Sequence, residues 1–140
     1  GNMDKATEDC KQNVEACKRL TDKIYPIVSI EDLSNMEKNL EEVSTIVEGL
    51  FGTGLNRTIQ GVPAYVIALI NRCLKYTISI DLPSGLDAST GKKWGEVVDC
   101  DLIVSMQLMK KGIYERINLR EKCLVEDIGI PQKAIDAVMK

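Results

Sequence analysis

Two loops, each directly after an apolar and β-branched run, constrain this chain more than any other feature of its sequence. The first loop begins at Gly52, after the run Val43–Leu50. The second loop is Asp81–Asp87, and it follows the run Thr77–Ile80. Open α/β sheets build ligand sites where buried strands end in such loops, at the carboxyl edge of the sheet. We therefore expect two strands whose following loops line one shared crevice.

The remaining sequence alternates between helical and extended patterns. Helices are expected from a Thr7 cap to about Leu20, near Leu33 after the Ser29–Asp32 capping pattern, and after Pro63, where four apolar residues form one stripe. Further strands are expected at Ile24–Val28 (an edge, because of Pro26), Val97–Val98, Leu102–Val104 and Cys123–Glu126, with a helical turn at 113–119 and a terminal helix from Pro131. This alternation predicts parallel βαβ units, hence a three-layer α/β/α sandwich with a Rossmann-like, mostly parallel sheet.

Composition excludes several classes of function. A net charge of −3 and a pI near 5.1 argue against nucleic acid as a partner. The absence of histidine excludes a Ser-His-Asp triad and a His-ligated zinc site. No apolar run reaches the ~20 residues of a membrane span. The five cysteines are dispersed without a Cys-x-x-Cys pair, which favours reduced thiols and a cytoplasmic location.

Three segments together resemble one known family. They are Leu50–Arg57, Asp81–Asp87 with Gly91 after it, and Asp127–Pro131. In order, spacing and setting they resemble the YjeF N-terminal domain family, whose characterised members are NAD(P)H-hydrate epimerases. The resemblance runs from about Thr7 to the end of the chain. It implies an isomerase that interconverts the R and S epimers of hydrated NADH and NADPH in cytoplasmic nicotinamide nucleotide repair.

The resemblance also implies roles for individual residues. Asp81 would contact the hydrated nucleotide and is the best candidate for acid/base chemistry. Ser84 would contact a potassium ion, together with Glu48, which stands where the family usually has aspartate. The substrate-binding loop would comprise Gly52, Thr53, Gly54, Leu55, Asn56, Arg57 and Thr58, with Arg57 contacting a phosphate or ribose.

Each of these residues also has a purely structural interpretation. Asp81 precedes Pro-Ser-Gly, which is good turn chemistry, and the Ser84 hydroxyl is equally suited to a turn. Asp87 is expected to brace its loop rather than to react. The family often has a lysine shortly after the strand that is expected here at Leu102–Val104, and either Lys110 or Lys111 fits that position.

The family's first βα unit, with its Asn-x-Gly-Gly-Asp-Gly phosphate loop, has no counterpart in residues 1–140. We therefore expect a partial domain, the C-terminal two-thirds, with a rearranged sheet or a homodimer, fused to or paired with an NAD(P)H-hydrate dehydratase in some settings. The alternative function is a non-catalytic module of the same fold that binds a ligand or dimerises. Retention of Asp81, Ser84 and the Gly52 loop favours the enzyme, whereas Glu48 and the absent phosphate loop favour the module.

Overall fold

The computed structural model describes residues 3–138, and its centre is a parallel sheet of four strands. The strands are β1 (Thr45–Glu48), β2 (Tyr76–Ile80), β3 (Leu102–Met106) and β4 (Cys123–Glu126). They lie in the order β1-β2-β3-β4, and every neighbouring pair is parallel. The predicted α/β class with a parallel sheet is confirmed, so the carboxyl ends of all four strands meet at one edge.

Helices connect β1 to β2 and β3 to β4, whereas β2 runs to β3 through a long loop, and local sequence explains where the helices begin. They are α1 (Glu8–Lys18), α2 (Leu33–Glu41), α3 (Val62–Arg72), α4 (Lys111–Tyr114), α5 (Ile117–Arg120) and α6 (Gln132–Val138), with one 3₁₀ turn at Met3–Lys5. The Thr7 hydroxyl accepts a hydrogen bond from the Cys10 N–H at 3.3 Å, which is the expected N-cap of α1. Pro63 lies in the first turn of α3, where its missing N–H is not needed.

The core lies on one face of the sheet. Ile67 of α3 and Ile103 of β3 are fully buried there, and α2 packs against α3. On the opposite face Val47, Tyr76 and Leu124 are 62%, 51% and 53% exposed. Within residues 3–138 the helical layer therefore covers one face closely, while the other face keeps an open apolar surface.

Two of the expected strands are wrong. The segment Ile24–Val28 is not part of the sheet: Pro26 has no N–H to donate, and Ile27 packs against the core from a loop. Val97–Val98 is also a loop. The Val98 N–H donates to the Ser84 carbonyl, and the Val97 carbonyl accepts from the Asn71 side chain. The segment therefore forms no ladder with a neighbouring strand.

Candidate active site at the carboxyl edge of the sheet

Asp81 follows β2 directly and has an unusual backbone conformation. Its φ is +72°, in the left-handed region that residues with a side chain rarely adopt. The Leu82 N–H donates to the Ile80 carbonyl at 2.9 Å, which closes a three-residue turn around Asp81. The Asp81 N–H donates to Val104 O at 2.7 Å, so the turn is tied to the neighbouring strand β3. Strain of this kind persists only where surrounding contacts enforce it, which is typical of functional sites.

The Asp81 carboxylate is held by two donors from the β3–α4 connection. The Met106 N–H donates to Asp81 Oδ1 at 3.0 Å, and the Lys110 ammonium forms an ion pair with the same oxygen. Both charged side chains are more than four-fifths buried. The ion pair and the N–H fix the position and orientation of this carboxylate, which is what an acid/base group at a ligand site requires.

The structure decides between the two adjacent lysines. Besides its ion pair, the Lys110 ammonium donates to the carbonyls of Met106 and Leu108 at 3.1 and 3.2 Å, and Ser105 Oγ lies 3.4 Å away. Lys111 points elsewhere: it is 72% exposed and lies 3.6 Å from Glu115. Lys110 is therefore the lysine of this site, and the sequence alone did not distinguish it.

Glu48 and Ser84, the expected potassium ligands, are in contact. Ser84 Oγ donates to Glu48 Oε2 at 2.6 Å, and the Ser84 N–H donates to Glu48 Oε1 at 3.1 Å. The Ser79 hydroxyl donates to Oε1 as well, at 2.5 Å. Glu48 is 4% exposed, and no buried side-chain nitrogen or oxygen within residues 3–138 lacks a partner. The carboxylate is thus a satisfied, buried bridge between β1, β2 and the second loop.

The hydrogen-bond acceptors around this bridge are all oxygen atoms. Glu48 Oε2 and the carbonyl of Phe51 both lie within hydrogen-bond distance of Ser84 Oγ, the carbonyl at 3.4 Å. Carboxylate, hydroxyl and carbonyl oxygens are the donor set that hard cations prefer. The residues therefore fit a potassium ion chemically. No cluster of three or more His, Cys, Asp or Glu side chains that could hold a metal occurs in the described part of the chain.

The first loop, Gly52–Thr58, lies open beside this bridge. Phe51 lies directly before this loop, and its N–H donates to Ser84 Oγ at 2.9 Å, which joins the start of the first loop to the second. A Cβ at Gly52 or Gly54 would meet nothing within 4 Å, so the backbone there is accessible to a ligand. Leu55 anchors the loop against the core, while Arg57 is exposed.

Asp87 braces its loop, as its pattern predicts. It accepts hydrogen bonds from the backbone of Ser89 and Thr90, from the Thr90 hydroxyl and from Trp94 Nε1. These bonds, that of the Thr90 N–H foremost, lower the pKa of Asp87 from 3.8 to about 2. Trp94, to which the sequence assigned no role, completes this brace.

Two crevices of the described residues lie away from the carboxyl edge. Their volumes are about 340 and 240 Å³, and they lie at α2 and α3, with Glu37 and Arg72 in the walls of both. Neither of them includes Asp81 or the first loop. The carboxyl edge is distinguished by its chemistry, because the Asp81 carboxylate, the Lys110 ammonium and the accessible glycine loop all lie there.

Fold and site together define an α/β domain with a candidate ligand site at the carboxyl edge of a parallel sheet. The chain belongs to the family described as YjeF-related protein N-terminus, which matches residues 1–112. It is 62% identical over 139 residues to a protein of Anaerococcus prevotii named NAD(P)H-hydrate epimerase, covering 99% of this chain and 64% of that protein. It is 33% identical over 129 residues to a bifunctional NAD(P)H-hydrate repair enzyme Nnr of Moorella thermoacetica, covering 91% and 24%.

A solved structure shares the fold. The crystal structure of yeast ynu0 (YNL200c) matches with a TM-score of 0.70 at 21% identity, over 91% of this chain and 52% of that chain. The chain thus spans 64% or less of the relatives and of the solved structure described above. None of the described helices is long and apolar enough to cross a membrane.

Proposed function

We propose that the full-length protein carrying this chain is an NAD(P)H-hydrate epimerase, an isomerase that interconverts the R and S forms of hydrated NADH and NADPH. One observation carries the proposal: the Asp81 carboxylate is held at the carboxyl edge by Lys110 and the Met106 N–H. The 62% identity to a protein of that name supports the choice of substrate.

The chemistry requires one group that gives and takes a proton. In the hydrate, water has been added at C6 of the reduced nicotinamide ring, beside the ring nitrogen. A proton of the Lys110–Asp81 ion pair passes through the Asp81 carboxylate to the hydroxyl as the nitrogen lone pair expels it, so water leaves and a C=N⁺ bond forms. Water then adds to the other face of C6 and returns one proton to the pair through Asp81, which inverts the centre without net consumption of any reactant.

The first loop supplies the binding surface for the nucleotide in this proposal. Gly52 and Gly54 leave room for a ligand to approach the backbone, and the exposed Arg57 is suited to a phosphate or a ribose hydroxyl. The Phe51–Ser84 hydrogen bond links this loop to the Asp81 loop. Nucleotide binding and acid/base chemistry would then occur on two loops that are joined by this hydrogen bond.

A potassium ion is proposed as the cofactor, held by Glu48 and Ser84. The carboxylate, hydroxyl and carbonyl oxygens brought together at these two side chains support it, although glutamate is one methylene longer than the aspartate usual in the family. When bound, the ion would supply positive charge beside the nucleotide. Glu48 and Ser84 would hold the ion, and they already hold the two loops together.

We also propose a homodimer, a cytoplasmic location and pairing with a dehydratase, each from one general property of the chain or of a relative. The open sheet face around Val47, Tyr76 and Leu124 is apolar, and such surfaces are typical of association. All five cysteines are free, which suits a reducing compartment. The bifunctional name of the Moorella relative supports pairing with a second repair activity.

The test is an epimerisation assay on the full-length natural protein, with Asp81→Asn as the variant. We expect rapid equilibration of R and S hydrates in the wild type, and a loss of about 10²-fold or more in Asp81→Asn. Asp99→Asn is the matched control, because Asp99 is 88% exposed. An inactive wild type would overturn the proposal in favour of a non-catalytic binding or dimerisation module.

A further inference from the structure

Gln107, at the carboxyl end of β3, has the same rare backbone conformation as Asp81 at the end of β2. Its φ is +60°, against +72° for Asp81. The Leu108 N–H donates to the Met106 carbonyl at 2.7 Å, which closes a three-residue turn around Gln107 like the turn around Asp81. Such turns with positive φ are strained for residues that carry a side chain. Contacts with the surrounding structure must therefore hold each of these two turns in its strained conformation.

The side chain of Gln107 makes such contacts. Its Oε1 accepts hydrogen bonds from the N–H groups of Ile128 and Ile130, at 3.0 and 3.3 Å. The backbone N–H of Gln107 donates to the Glu126 carbonyl. Gln107 is thereby fastened to β4 and to the segment after it by three bonds, which together hold the strained turn in place.

The turn at Gln107 also positions the groups that surround Asp81. The two carbonyls on either side of Gln107, those of Met106 and Leu108, accept from the Lys110 ammonium at 3.1 and 3.2 Å. The Met106 N–H, from the same turn, donates to the Asp81 carboxylate. Relaxation of this turn would therefore move both donors of Asp81 at once.

We propose that Gln107 is a positioning residue for Asp81, acting through Lys110 and the Met106 N–H; this inference rests on the proposed epimerase function. The carboxamide holds the turn, the turn presents two carbonyls to Lys110, and Lys110 holds the carboxylate. Gln107 itself touches no reacting atom. The segment after β4, which carries the family-like Asp127–Pro131 pattern, then contributes to the site through this one side chain.

Two substitutions of similar length test the proposal in the full-length protein. Gln107→Met keeps the length and the backbone strain but offers no oxygen acceptor, whereas Gln107→Glu keeps the accepting oxygen. We expect Gln107→Met to lower kcat about tenfold with KM within about twofold, and Gln107→Glu to retain most of kcat. Unchanged kcat in Gln107→Met, or equal impairment of both variants, would overturn the proposal.

A second measurement does not depend on activity. Amide hydrogen exchange of Met106, followed by NMR in the same proteins, reports the bond to Asp81 directly. We expect faster exchange in Gln107→Met but not in Gln107→Glu, with exchange at Ile59, whose N–H donates to Trp94 O, unchanged in both. Unaltered Met106 exchange in Gln107→Met would overturn the positioning role. An inactive wild type with the expected exchange pattern would instead count against the epimerase function alone.

Discussion

The Ser84 hydroxyl donates a hydrogen bond of 2.6 Å to the Glu48 carboxylate, although 36 positions separate the two residues. The same hydroxyl accepts from the Phe51 N–H at 2.9 Å. Ser84 therefore joins the end of β1, the first loop and the second loop through a single oxygen atom. The two motifs that stand apart in the sequence are one unit in the fold.

Ser84→Ala tests how much this junction contributes to stability. The variant leaves the Phe51 N–H without its partner, and Glu48 Oε2 keeps only a long contact of 3.4 Å from the Leu50 N–H. Buried groups left unsatisfied cost about 1–3 kcal/mol each, so we expect unfolding by urea to require about 1–3 kcal/mol less free energy. Ser89→Ala, at an exposed serine, is the control; equal stability of the two variants would contradict the prediction.

Potassium dependence tests the proposed ion site. We expect epimerase activity of the full-length protein to fall when potassium is replaced by tetramethylammonium at constant ionic strength, because a large organic cation cannot bind among small oxygen ligands. In Glu48→Gln the carboxylate charge is lost, and the rates in the two salts should converge. Equal wild-type rates in both salts would remove the ion from the proposal and leave Glu48 as a structural bridge.

The pKa of Asp87 predicts a specific loss of stability in acid. Because hydrogen bonds hold its folded pKa at about 2, below the ordinary 3.8, the carboxylate stabilises the fold fully above pH 3.8 and progressively less as the pH falls toward 2. Urea unfolding of wild type and Asp87→Asn should therefore differ most near neutral pH and converge in acid. Asp99→Asn provides the comparison at an exposed site, and a difference that grows in acid would refute the assignment.

Substitution by alanine should destabilise the protein at Gly85 and leave its stability nearly unchanged at Gly52. Gly85 has φ +101°, and a Cβ there would lie 2.1 Å from the Glu96 carbonyl, so Gly85→Ala should destabilise the protein by about 2 kcal/mol or more. Gly52→Ala, where a Cβ meets nothing within 4 Å, should change stability by less than about 0.5 kcal/mol. Thermal unfolding of both variants checks the contrast, and a similar loss in the two would show that the clash at Gly85 is relieved.

Several features of the site could be predicted from residue order. Asp81 and the Gly52 loop each follow an apolar run, and parallel strands bring the ends of such runs to one edge. The Asp87 brace follows from the turn chemistry of aspartate with Ser-Thr-Gly after it. The N-cap at Thr7 and Pro63 in the first turn of α3 depend on neighbouring residues as well.

Other features could not be predicted from the sequence because they depend on contacts between residues that are far apart in the chain. An apolar run at Ile24–Val28 resembles a strand, yet the sheet of the described residues does not include it, and the Val28 N–H donates to the Asp32 side chain instead of to a neighbouring strand. The positive φ of Gln107 has no local signal, since glutamine rarely adopts it. The N–H groups that hold it, those of Ile128 and Ile130, lie beyond the next strand.

The amino-acid sequence by itself determined the alternation of strands and helices, the two loops and the carboxylate at the end of β2. These features depend on side-chain pattern and backbone preference over a few neighbouring residues. Only the tertiary structure decided that Lys110 rather than Lys111 contacts Asp81, and that Ser84 satisfies Glu48. Such choices depend on distances of a few ångströms between residues far apart in the chain, and packing of the whole sheet sets those distances.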